Sequence, residues 1–142
     1  MIYSMSFVFV FLLLLGSANQ YYVPFLSENR LSKTEIRLTA IGEFGIVRKS
    51  RPTVPQHLHT GIDIARPSKN YMNEPIFPIY QGIVISIRRD GPFAQIIIEH
   101  QKKSGEKFWT LYEHIAGIKV SLNENVVPTK PIARFMNTKE LN

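Results

Sequence analysis

His59-Thr60-Gly61-Ile62-Asp63 places an imidazole and a carboxylate four positions apart, with a glycine between them. A neutral ring nitrogen and an anionic oxygen are donors that zinc accepts at about 2.0–2.2 Å. In a fully extended strand four residues span roughly 13 Å, so one ion shared by both side chains requires a bent backbone. Gly61 is the residue expected to bend. The alternative for the pair is a turn in which the Asp63 carboxylate accepts backbone hydrogen bonds. Further on, Trp109-Thr110-Leu111-Tyr112-Glu113-His114 sets another histidine at the end of an apolar, aromatic run. Taken together, His59, Asp63 and His114 point to a metal-assisted hydrolase.

Short extended segments must hold these side chains. Ile36–Ile41, Ile76–Tyr80, Gly82–Arg88, Ala94–His100, Lys107–His114 and Pro131–Phe135 are rich in Val, Ile, Phe and Tyr, with Gly, Pro, Asn and Asp between them. Asp90-Gly91-Pro92 and Lys103-Ser104-Gly105-Glu106 read as turns between antiparallel neighbours. No window carries a helical period, which predicts an all-β antiparallel domain. Residues two apart share a face of a strand, so Phe108, Thr110, Tyr112 and His114 form one side and Trp109, Leu111 and Glu113 the other. With Tyr112 and His114 lining a cleft, Trp109 and Leu111 are expected to pack the core. His57 shares a face with His59, which leaves a paired role open to it, but His57 and His100 are expected to be structural or surface histidines.

Composition bounds the function classes. A chain of 142 residues with 44% hydrophobic and 20% charged residues suits a single modest globular domain. With no cysteine present, disulfides and thiolate ligands are excluded, and a metal must be held by histidines and carboxylates. The net charge of +6 would favour contact with anionic envelope polymers, a soluble protein that simply happens to be basic being an equal alternative, and no aromatic-basic recognition motif supports nucleic acid. Residues 1–18 hold no charged side chain, and Phe7 to Leu15 is an unbroken apolar run ahead of Gly16-Ser17-Ala18. This reads as a secretory signal peptide cleaved near Ala18, with an uncleaved anchor as the alternative. The run is shorter than the ~20 residues that span a bilayer, so no transmembrane helix is expected in the mature chain. Residues 19–35 then form a linker or N-terminal arm, and 36–142 the β core domain.

The order of these segments carries a resemblance. His59, Gly61, Ile62, Asp63, Ile64, Ala65 and Pro67 match a pattern H-x-G-I-D-I-A-x-P; Gly82-Ile83-Val84 and Ile96-Ile97-Ile98-Glu99-His100 match a G-x-V strand and its partner; Thr110-Leu111-Tyr112-Glu113-His114 matches T-x-Y-x-H. Over roughly residues 41 to 135 the chain resembles the lysostaphin/LytM-type zinc metalloendopeptidases, which cut peptide bridges in bacterial peptidoglycan. The resemblance implies an all-β antiparallel sheet or sandwich of the duplicated hybrid motif. It also implies one zinc ion held by His59 and Asp63, His114 as a catalytic residue, peptidoglycan peptides as substrate, and a secreted place in the bacterial periplasm or cell envelope.

One departure stands against the matches. The family's final His-x-His-Phe-Glu motif, source of the third ligand and a second catalytic histidine, does not occur after His114. The resemblance therefore implies a core missing its last strand, with the third protein ligand not found and activity weak or absent. A truncated endopeptidase is the first reading. A degenerate, non-catalytic relative that binds cell-wall peptides or regulates another wall hydrolase is the alternative. An unrelated carrier-type β module would leave His59-x-x-x-Asp63 and Tyr112-x-His114 unexplained.

Overall fold

Alternating isoleucines build the largest sheet. In a computed structural model that describes residues 19–52, 54–67, 73–137 and 140, the strands are β1 (Val47–Arg48), β2 (His57–Leu58), β3 (Pro75–Ile76), β4 (Gly82–Arg88), β5 (Gln95–Gln101), β6 (Lys107–Glu113), β7 (Ile115–Ala116), β8 (Asn125–Val126) and β9 (Ala133–Phe135). The expected signal segment, 1–18, lies outside the described residues. Four strands pair in the order β6-β5-β4-β8, three in the order β3-β9-β7, and β1 pairs with β2. Every pairing is antiparallel, so the domain is all-β as expected.

In β5 the period of two is strict: Ile96, Ile98 and His100 are buried while Gln95, Ile97 and Glu99 are only partly covered. Ile96 and Ile98 join Val84 of β4 and Val126 of β8 in a cluster that also takes Ile76, Ile115 and Ala133 from the three-stranded sheet. The core therefore lies between the two larger sheets, and apolar burial at about 25 cal/mol per Å² is what holds them face to face. Gly105, at φ +89°, turns the chain between β5 and β6. Another glycine is required by proximity: a Cβ on Gly82 would lie 2.3 Å from the Glu99 carbonyl oxygen and 2.7 Å from His100 Nδ1.

The face assignment of β6 is the reverse of the one expected. Trp109 and Leu111 are each 56% exposed, whereas the Tyr112 ring packs on the core and its hydroxyl accepts the Ile79 N–H at 2.9 Å. Alternation says which residues share a face, not which face turns inward. Here the inward side is set by buried His100, which stacks on Phe108 with 4.6 Å between centroids. His100 is wholly buried, with Nδ1 2.8 Å from the Gln81 carbonyl and Nε2 2.7 Å from the Thr110 hydroxyl. A carbonyl only accepts, so Nδ1 carries the proton and Nε2 takes the hydroxyl's hydrogen. This histidine is structural.

One further expectation changes. Ile36–Ile41 is not a strand; Leu38 makes a single bridge to Ile64, and the chain before it turns as a short 3₁₀ helix, Lys33–Glu35, capped by the Ser32 hydroxyl. Residues 19–35 are fastened to the sheets. Val23 and Phe25 are buried, Phe25 bridges Ile76, and the Arg30 guanidinium lies 4.2 Å above the Phe77 ring while donating to the Val23 and Pro128 carbonyls.

Candidate metal centre

The segment carrying His59 and Asp63 is shaped by backbone bonds to the preceding loop. His59 N–H donates to Ile46 O at 2.9 Å and its carbonyl accepts from Gly45, which continues the β1–β2 pairing by one step. Four residues later the Asp63 N–H donates to Gly42 O at 2.9 Å and Asp63 O accepts from Thr39. Between them the chain bends at Gly61. That bend does not use the left-handed region, and a Cβ on Gly61 would sit 3.9 Å from His59 Nε2, an ordinary contact. The close approach falls instead at Gly42, where a Cβ would meet Asp63 O at 2.6 Å.

As a result His59 Nε2 and Asp63 Oδ1 lie 3.2 Å apart. Two ligands at 2.0–2.2 Å around a tetrahedral zinc are separated by roughly 3.3–3.6 Å, slightly more than this pair, and among the described residues no third His, Cys, Asp or Glu joins them. The other ring nitrogen, His59 Nδ1, donates to the Glu43 carbonyl at 2.9 Å, which leaves Nε2 with its lone pair toward Asp63. The second carboxylate oxygen, Oδ2, accepts from Arg48 Nη2. Arg48 reaches it from β1, and the same nitrogen donates to Ile41 O at 3.0 Å.

His114 sits where β6 ends and β7 begins, at φ 57°. It is exposed, its Nδ1 is 2.5 Å from Pro92 O, and its ring lies 5.7 Å from Phe93. Its carbonyl accepts from Met136 N–H at 3.4 Å. Among the described residues no hydrogen bond, ion pair or ring contact joins His114 to His59 or Asp63, and no group of three His, Cys, Asp or Glu gathers around one point. His57, across from Arg48 in the β1–β2 register, bonds the Pro55 carbonyl through Nδ1 at 2.8 Å. Beyond Asp63 the Arg66 charge helps hold Glu140 at a pKa of about 2, behind the larger effects of the Arg134 hydrogen bond and the Asn137 N–H. Arg134 in turn lies opposite Ala116 in the β9–β7 register, two residues after His114.

Sequence reasoning missed Arg48 and Gly42. Arg48 is fifteen residues from Asp63, with no local spacing to couple them, and only the return of β2 along β1 makes them neighbours.

The chain is thus a small antiparallel β domain whose His-x-x-x-Asp segment is bent so that its two side chains meet. The family model for Peptidase family M23 matches residues 57–142, and the chain belongs to that family. No curated protein and no solved structure matches it.

Proposed function

We propose that the chain is a zinc metalloendopeptidase-type domain for peptidoglycan cross-link peptides, in which His59 and Asp63 hold the metal and His114 is the catalytic residue. The observation that carries this reading is the 3.2 Å approach of His59 Nε2 to Asp63 Oδ1, with the opposite ring nitrogen tied to Glu43 O. A zinc held by His59 and Asp63 would supply Lewis-acid polarisation of a peptide carbonyl and of water. The protein's own part is to fix two donors and to present an imidazole. Because the Pro92 carbonyl takes the Nδ1 proton, His114 offers Nε2 as the position where a proton is accepted or returned. A left-handed backbone at a non-glycine residue costs about 1–2 kcal/mol, and such strain concentrates where function requires it.

Substrate and place follow from the family reading: a short, flexible wall peptide met in the cell envelope, the +6 charge drawing the domain toward anionic polymers. Among the described residues no helix is long and apolar enough to cross a membrane. The test is zinc content of the purified chain together with release of peptides from peptidoglycan. We expect His59→Ala and Asp63→Ala to lose metal, and His114→Ala to keep metal and lose turnover. Loss of zinc in His114→Ala would make His114 a ligand and overturn its assigned role.

One observation favours a second reading. The Asp63 carboxylate has a cationic partner without a metal, the Arg48 guanidinium on Oδ2. A domain of this kind would hold wall peptides without cutting them, and would co-sediment with peptidoglycan while releasing nothing in the presence of zinc.

A further inference from the structure

β6 stands at the edge of the four-stranded sheet and pairs with β5 alone. Among the described residues no backbone hydrogen bond reaches its other side. Which groups face that side follows from the turn before the strand. Lys102 N–H donates to Glu106 O at 2.8 Å, and the next pair in the register is Gln101 with Lys107. Bonded and non-bonded pairs alternate along an antiparallel ladder. Phe108, Thr110 and Tyr112 therefore exchange bonds with β5, while Lys107, Trp109, Leu111 and Glu113 turn their N–H and C=O groups to the open side. The side chains of the same four residues are exposed on the outer face, where Trp109 and Leu111 continue toward exposed Ile83 and Ile85 of β4. Natural sheets ordinarily blunt an edge that is both long and apolar, and an exposed apolar strip of this kind marks a contact surface.

The charges of the strand say what fits it. Laid antiparallel against a second copy of itself about a twofold axis at Thr110, β6 sets Lys107 opposite Glu113 at both ends, with Trp109 opposite Leu111 and Phe108 opposite Tyr112 between them. Open groups then meet open groups, as an antiparallel ladder requires. Sliding the copies by two residues in either direction keeps that phase but loses both ion pairs. Glu113 has no ion pair among the described residues, and Lys107 is paired only with Glu99 of β5, at 2.8 Å. Independently of any metal at His59 and Asp63, we infer that the β6 edge is a docking surface for a second copy of this chain, which joins two four-stranded sheets into one through the pairing of Lys107 with Glu113. The contact is isologous, so it closes at two copies. A single strand pairing falls below the ~1,200 Å² of standard interfaces, which places half-dimerisation at roughly 10–100 µM chain.

The experiment is sedimentation velocity on the full chain between about 1 and 300 µM, a range that brackets the expected midpoint. Wild type, Glu113→Lys, Lys107→Glu and Leu111→Pro are compared, each with a thermal melt at the dilute end. Wild type should pass from the 16.3 kDa species to twice that mass. Glu113→Lys alone sets like charges against each other at both ends, as does Lys107→Glu alone, and each should associate at least about tenfold more weakly. Mixed in equal amounts, these two variants regain opposite charges at both ends and should form a heterodimer within about threefold of the wild-type affinity. Leu111→Pro removes a donor that faces the open edge and none that faces β5, so it should fold and remain monomeric. Should Leu111→Pro fail to fold, the charge variants carry the test. A wild-type chain that stays monomeric throughout, association unchanged in the single variants, or a mixture no tighter than its components would each overturn the inference.

Discussion

At the scale of the residue, His114 and His100 show how one side-chain type serves opposite ends. His114 is exposed and held in a left-handed backbone that glycine adopts freely. His114→Gly relieves about 1–2 kcal/mol of backbone cost and loses one hydrogen bond worth about 0.5–1.5 kcal/mol, so the two nearly cancel. We expect a melting temperature within about 4 °C of wild type and a turnover at least about a hundredfold lower, read by calorimetry and peptide release. His100 is the converse. Burial pushes its pKa below the usual 6.5, against the smaller opposing effect of the Gln81 carbonyl bond. The unfolded chain therefore takes up a proton near pH 6.5 that the folded chain refuses, so this contribution is complete above that pH and is lost as pH falls below it. Urea midpoints should drop between pH 6.5 and 5, an interval above the ordinary 4.5 at which Glu140 starts to matter. His100→Gln, though less stable, should flatten that slope.

At the scale of the element, β4, β5 and β6 were legible because their apolar residues alternate and turn residues bracket them. Gly82–Arg88 falls where expected, Gln95–Gln101 is displaced by one residue, and β6 stops one residue short, at the point where His114 leaves the strand conformation. β1 and β2 were not legible: two residues each, they are defined by pairing with one another and carry no period of their own. The His59 and Asp63 pair was legible from spacing, while its Arg48 support was not, since that contact exists only after the chain returns. The reversed face of β6 gives a direct check. Trp109→Thr should change stability by no more than about 0.5 kcal/mol, whereas Ile98→Ala, fully buried, should cost about 2–5 kcal/mol in urea unfolding. Gly82→Ala forces a methyl into the β5 backbone and should cost about 1–3 kcal/mol.

At the scale of the whole molecule, the arm ahead of the sheets is part of what keeps them together. Phe25 is 1% exposed against Ile76, so Phe25→Ala should lose about 3–5 kcal/mol although it lies far in sequence from every site residue. The three-stranded sheet has a different consequence, one of timing. Its middle strand is β9, and both β3 and β7 pair with β9 and not with each other. A ribosome delivers Pro75–Ile76 and Ile115–Ala116 well before Ala133–Phe135, so on a nascent chain both outer strands must wait for their shared partner, each with an open ladder of donors and acceptors. Closure then requires a contact between residues some sixty positions apart, the kind of non-local event that slows folding into the millisecond-to-second range. The interval before Phe135 emerges is the period in which this chain is most exposed to mispairing and to chaperones that recognise unpaired strands.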